Sequence, residues 1–152
     1  MVSTEFDQII EKAHLALKEF YKGDMEPYRR LCSLQQDVSL LGAFGGISVG
    51  PEEVNGHLTS RASFFRDGHN VSFENLVKFS TNDWGYTVEV ERFEAKIGGT
   101  DETTKVALRV TTIFRREDGE WKVAHRIGDP LVSRLDPPMY KSLAKHNLEM
   151  KE

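Results

Sequence analysis

Apolar positions in TEFDQIIEKAHLALKEFYKGD recur at helical spacing. Phe6, Ile9, Ile10, Ala13, Leu17 and Phe20 share one face, with Asp7, Glu11, Lys18 and Lys22 elsewhere. Thr4, with Asp7 three residues on, forms a capping box, and Gly23 closes the helix. A short second helix is expected over roughly Met25 to Leu34, N-capped by Asp24 and carrying Tyr28 and Leu31. VSLLGAF then reads as a strand and GGISVGP as a glycine-rich connector. PEEVNGHLTSRASFF reads as a third helix with Pro51 in its first turn and a stripe of Val54, Leu58, Ala62 and Phe65. Gly56 weakens that helix, which suggests a close backbone approach there.

From Val71 to Val132 the pattern changes to antiparallel sheet. VSFENLVKFST and WGYTVEVERFEAKI pair through a turn at Asn82-Asp83, and KVALRVTTIFRRE and EWKVAHRIGDP through one at Asp118-Gly119. An aspartate-glycine step between β-rich runs is the strongest short-range hairpin signal. In the last strand, alternation puts Trp121, Val123, His125 and Ile127 on one face and Lys122, Ala124 and Arg126 on the other. Beyond Asp136-Pro137-Pro138, the segment MYKSLAKHNLEMKE carries a weak amphipathic stripe, expected to dock on the body or on a partner chain. Helices followed by a long antiparallel sheet make an α+β chain. The division is a domain over 1–136 and a C-terminal helical extension over 137–152.

At 152 residues the chain suits one domain, and 39% hydrophobic against 29% charged residues places it among ordinary globular proteins. The net charge of −4, with dispersed basic residues, argues against nucleic-acid binding. No apolar run is long enough for a membrane span. The single Cys32 and the absence of a basic segment preceding an apolar one at the start lead to an expected cytoplasmic location.

The order of elements, together with YTVEVER and LRVTTIFRREDGEWKVAHRIGDP, resembles the SnoaL-like and ketosteroid-isomerase-like proteins of the nuclear-transport-factor-2-like superfamily. The resemblance implies a cone-shaped fold, with three helices packed on a curved antiparallel sheet around a ligand cavity, plus the C-terminal helix. It also implies a homodimer through the sheet's outer face. Ile127 stands where such proteins often have a second histidine. The last hairpin is also similar to the association domain of calcium/calmodulin-dependent protein kinase II, an assembly module.

Several side chains could carry chemistry. His125 could act as general acid or base, or be a half-buried strand histidine bonded to a neighbour. Asp37 could gain a raised pKa beside apolar walls and move a proton, or simply cap a turn. Arg109 needs a carboxylate if buried, from a ligand or from Glu89, Glu91 or Asp129. With a two-residue turn His125 faces Thr112; with a three-residue turn it faces Thr111 and shares a face with Arg109. Tyr28, Trp84 and Tyr86 could wall a pocket or fill a core, and Arg126 and Asp129 would line its rim. The histidines show no metal-ligand spacing, and no nucleotide or flavin signature is present, so no cofactor is expected.

The expected function is therefore small-molecule binding, with isomerase, dehydratase or cyclase chemistry by proton transfer through His125 and Asp37. A non-catalytic ligand-binding or assembly domain is the alternative.

Overall fold

In the computed structural model, which describes residues 4–149, three helices cover one face of a single sheet. Helix α1 (Glu5–Phe20) has the expected capping box, with Thr4 and Asp7 each bonding the other's backbone, and buries Phe6, Ile9, Ala13, Ala16, Leu17 and Phe20. Helix α2 is shorter than expected, Glu26–Leu31, and starts from Met25. Asp24 Oδ1 still accepts a hydrogen bond from the Glu26 amide at 3.1 Å. Strands β1 (Ser39–Gly42) and β2 (Gly45–Val49) follow, then α3 (Pro51–Ala62), which buries Val54, Leu58 and Ala62. Phe65 is buried as expected, but it belongs to a strand.

The remaining strands are β3 (Phe65–Ser80), β4 (Trp84–Ile97), β5 (Thr103–Glu117) and β6 (Glu120–Asp129), and α4 (Pro137–Glu149) comes last. The sheet order is β2-β1-β6-β5-β4-β3. Two expectations change here. The glycine-rich connector is itself the strand β2, folded back on β1. The sheet is mixed, because β1 runs parallel to β6, pairing Ser39 with His125 and Leu41 with Ile127. The cause lies just upstream: Cys32 bridges Val123 in parallel, and the Ser33 amide donates to the Val123 carbonyl at 2.8 Å. A chain pinned there must continue along β6 in the same direction.

Curvature comes from irregular pairing. The β3–β4 register shifts between Arg66 and His69, between His69 and Ser72, and again between Asn75 and Val77. Asp67 and Asn70 take positive φ values of 55° and 51° at the first two of these bulges. Bulges bend and twist a strand, and three along one edge curl the sheet over α1 and α3. The turn residues of RDGHN, which end the expected strand at Val71, are what β3 uses to bend.

Gly56 meets no atom within 4 Å where a Cβ would stand, so nothing approaches the backbone there. Helix α4 buries none of its residues and does not dock on the body.

Candidate functional site

The side chains that face the helices depend on one residue of β6. The hairpin closes with two turn residues, Asp118 at φ 50° and Gly119 at φ 82°, and Glu117 pairs with Glu120. The pairing then slips: Phe114 faces Val123, but Ile113 faces His125, leaving Ala124 as the extra residue of a bulge. Both expected registers give way to a third. Before the bulge, Trp121 and Val123 face inward. Beyond it the inward positions are Arg126, opposite Thr112, and Gly128, opposite Val110. His125, Ile127 and Asp129 turn to the outer face. A one-residue slip inverts every later side chain.

Between the helices and the inner sheet face lies a cavity of about 230 Å³. Helix α1 supplies Leu17 and Phe20, its C-cap residue Tyr21 follows, α2 supplies Tyr28, and α3 supplies His57, Leu58 and Arg61. The sheet adds Leu40, Phe65, Phe93, Val106, Leu108, Arg126 and Gly128, and the β1–β2 turn adds Ala43 and Phe44. The walls are mostly aliphatic and aromatic, with a few converging polar groups, the usual make-up of a small-molecule site.

One wall carries a buried polar cluster. Arg126, 8% exposed, donates to both oxygens of Glu91, which is 0% exposed, at 2.9 and 3.2 Å. The Tyr21 hydroxyl donates to Glu91 Oε2. Burial opposes the charge on Arg126, but the Glu91 carboxylate more than offsets it and holds its pKa above the ordinary value. Tyr28 lies against this pair, its ring centroid 6.0 Å from the guanidinium carbon. The Tyr28 hydroxyl is buried, and its proton finds no acceptor among the described residues. Burial pushes its pKa well up, with the Arg126 charge working in the other direction, so the phenol stays protonated. It is a donor with its hydrogen bond unspent.

The mouth is set by α3 and the β1–β2 hairpin. A Cβ on Gly42 would stand 2.6 Å from His57 Nε2, so glycine lets the hairpin rest on that ring without displacing it. Ser48 Oγ lies 3.3 Å from His57 Nδ1. Burial, then the charge of Arg61, hold the His57 pKa below its ordinary value. The Arg61 guanidinium lies 5.9 Å from the Phe44 ring centroid and 5.6 Å from that of Phe64.

Of the residues expected at the site, Tyr28 and Arg126 line the cavity and the others do not. His125 stands on the outer face, with Nδ1 2.7 Å from Ser39 Oγ, and burial lowers its pKa. Asp37 is 67% exposed and accepts two hydrogen bonds from Arg115 at 2.8 and 2.9 Å. Those bonds hold its pKa below the usual carboxylate value, the reverse of the expected rise. Arg109 and Asp129 form a bidentate pair at 2.9 and 3.0 Å, so Arg109 finds one of its three expected carboxylates, but on the outer face rather than inside. Trp84 and Tyr86 also lie outside the cavity and stack on each other at 6.1 Å. The sequence reading missed Tyr21, His57, Arg61 and Glu91 as site residues. For the α3 pair a signal existed: His57 and Arg61, four apart, adjoin Leu58 and Ala62 on the same helical face.

No protein-family model matches the chain, and no curated protein matches it by sequence. Solved structures do match in three dimensions. A nuclear-transport-factor-2-like superfamily protein from Salmonella enterica superposes with a TM-score of 0.71 at 10% identity, covering 86% of this chain and 91% of that one. A ketosteroid isomerase-like protein from Erwinia carotovora atroseptica gives 0.67 at 18% identity, covering 83% and 96%. A provisionally assigned calcium/calmodulin-dependent protein kinase type II association domain from Thiobacillus denitrificans gives 0.65 at 16% identity, covering 81% and 92%. Likeness at these identities is likeness of fold. The chain has the nuclear-transport-factor-2-like fold, and a fold by itself does not set a function.

Proposed function

We propose that this nuclear-transport-factor-2-like chain binds a small, largely apolar molecule in the cavity and hydrogen-bonds one of its oxygens through Tyr28. The observation that carries the reading is the Tyr28 hydroxyl, buried beside Arg126 with no acceptor for its proton among the described residues. Most buried polar side-chain atoms are hydrogen-bonded, and leaving one unpaired costs roughly 1–3 kcal/mol. A ligand oxygen would recover that cost on binding.

The same geometry bears on catalysis. A protonated phenol next to a guanidinium can polarise a carbonyl or hydroxyl oxygen, which isomerisation or dehydration requires. Proton transfer by His125 or Asp37 gains no support, since neither lines the cavity. Tyr28, whose hydroxyl proton has no acceptor among the described residues, is the candidate donor for a reaction in the cavity.

The Tyr28→Phe variant separates a ligand-facing hydroxyl from a structural one. It should melt at or slightly above the wild-type temperature, because the unpaired group is gone. Acetophenone, which carries an acceptor oxygen, should bind it several-fold more weakly, while ethylbenzene binds both proteins equally. Lowered stability with unchanged acetophenone affinity would make the hydroxyl structural and contradict the reading.

A further inference from the structure

Arg61 is the cavity's unspent charge. The other cavity-lining arginine, Arg126, is already neutralised by Glu91. Arg29, Arg66, Arg92, Arg109, Arg115 and Arg116 each have an acidic side chain within 4.0 Å. Arg61 lines the cavity with no acidic partner among the described residues, and its one side-chain hydrogen bond is from Nη1 to Ser60 Oγ at 3.3 Å. Its Nε is buried and makes no hydrogen bond among the described residues. The rings of Phe44 and Phe64 hold the guanidinium at the mouth rather than letting it swing into solvent.

We infer that Arg61 is a carboxylate anchor at the cavity mouth, and that the ligand is a small amphipathic acid whose apolar body fills the cavity. This rests on the binding reading above and names the class of molecule bound. Three features favour an acid over a neutral ligand. The fork of a guanidinium matches a carboxylate with two parallel hydrogen bonds, and Nε is one of the donors such a bond uses. His57, on the same helix face, offers a neutral ring whose hydrogen bond adds no second charge. The charge of the other cationic wall group, Arg126, is already met by Glu91, so a ligand's charge sits at the mouth and its body inside.

Volume limits the body. A cavity of about 150 Å³ lined by aliphatic and aromatic side chains holds benzene, so about 230 Å³ holds roughly nine non-hydrogen atoms. An arylacetate, or an aliphatic acid of similar size, fits that limit; a steroid does not.

The test is calorimetric titration with phenylacetate and hexanoate, each paired with its neutral amide, on the wild type and on Arg61→Gln. The wild type should bind at least one acid more tightly than its amide. Arg61→Gln should lose about tenfold or more in affinity for that acid, as expected when a hydrogen bond to a charged group is removed. Its affinity for the amide should stay unchanged, which also shows that the variant is folded. Arg61→Lys keeps the charge without the fork and should fall between the two. If Arg61→Gln binds the acid as well as the wild type, or if each amide binds at least as tightly as its acid, the anchor is refuted while the cavity stands as a binding site. If neither acids nor neutral compounds bind, both readings fall.

Discussion

Replacing Glu91 by glutamine is expected to cost the protein about 3–5 kcal/mol of folding stability, the usual penalty for breaking a buried ion pair from one side. Glu91 is fully buried, and Arg126 has it as its carboxylate partner at 2.9 Å. Glutamine keeps an acceptor for the Tyr21 hydroxyl and nearly the same volume. What is lost is the negative charge, and an uncompensated guanidinium is left inside an apolar fold. For a chain of this size, 3–5 kcal/mol corresponds to a fall in melting temperature on the order of 6–20 °C. The double variant Glu91→Leu with Arg126→Met removes both charges and should recover most of what Glu91→Leu alone loses, because a well-packed apolar pair can match a buried ion pair. Urea denaturation of the three variants decides it. A Glu91→Gln protein within 1 kcal/mol of wild type would mean that Arg126 reaches water or another acceptor.

Gly68→Ala should cost about 3 kcal/mol, at the upper end for overpacking. A Cβ at Gly68 would stand 2.4 Å from the Tyr21 carbonyl oxygen and 2.6 Å from the Tyr21 carbonyl carbon. Those are backbone atoms at the end of α1, and they cannot swing aside as a side-chain tip would. The bend of β3 at Asp67 and Asn70 brings its backbone against α1 here, so the substitution pushes on the contact that holds Tyr21 to its Glu91 bond. Gly99→Ala is the control. No atom lies within 4 Å of its position, and the change should stay within about 0.5 kcal/mol of wild type. Equal effects at both sites in thermal melts would contradict the close approach.

The helices were legible in the sequence because their signals are local. The Thr4–Asp7 box, the stripe of α1 and the Val54–Leu58–Ala62 stripe each sit within one element. The Asp118-Gly119 turn was legible for the same reason. The site was far less so, because it hangs on non-local facts. Nothing in EWKVAHRIGD announces a bulge at Ala124, yet that residue moves His125 out of the interior and Arg126 into it. Strand β4 runs against its own hydropathy: Glu89 and Glu91 face inward while Val88 and Val90 turn out. The inward acids are stable only because His14 and Arg126, 75 and 35 residues away, meet them. Asp37 illustrates the converse. A carboxylate before a strand could have met apolar walls, but Arg115, distant in sequence, reaches it first.

The central claim is that the cavity admits and holds a small molecule. Methyl-selective NMR tests it most directly, by titrating acetophenone into the protein with labelled leucine and valine. Leu17, Leu40, Leu58, Val106 and Leu108 line the cavity, whereas Leu15 and Leu148 are 55% and 89% exposed on the surface. Saturable shifts concentrated on the first group, with the second group unmoved, are the predicted result. Shifts spread over surface methyls without saturation, or no shifts at all, would contradict it.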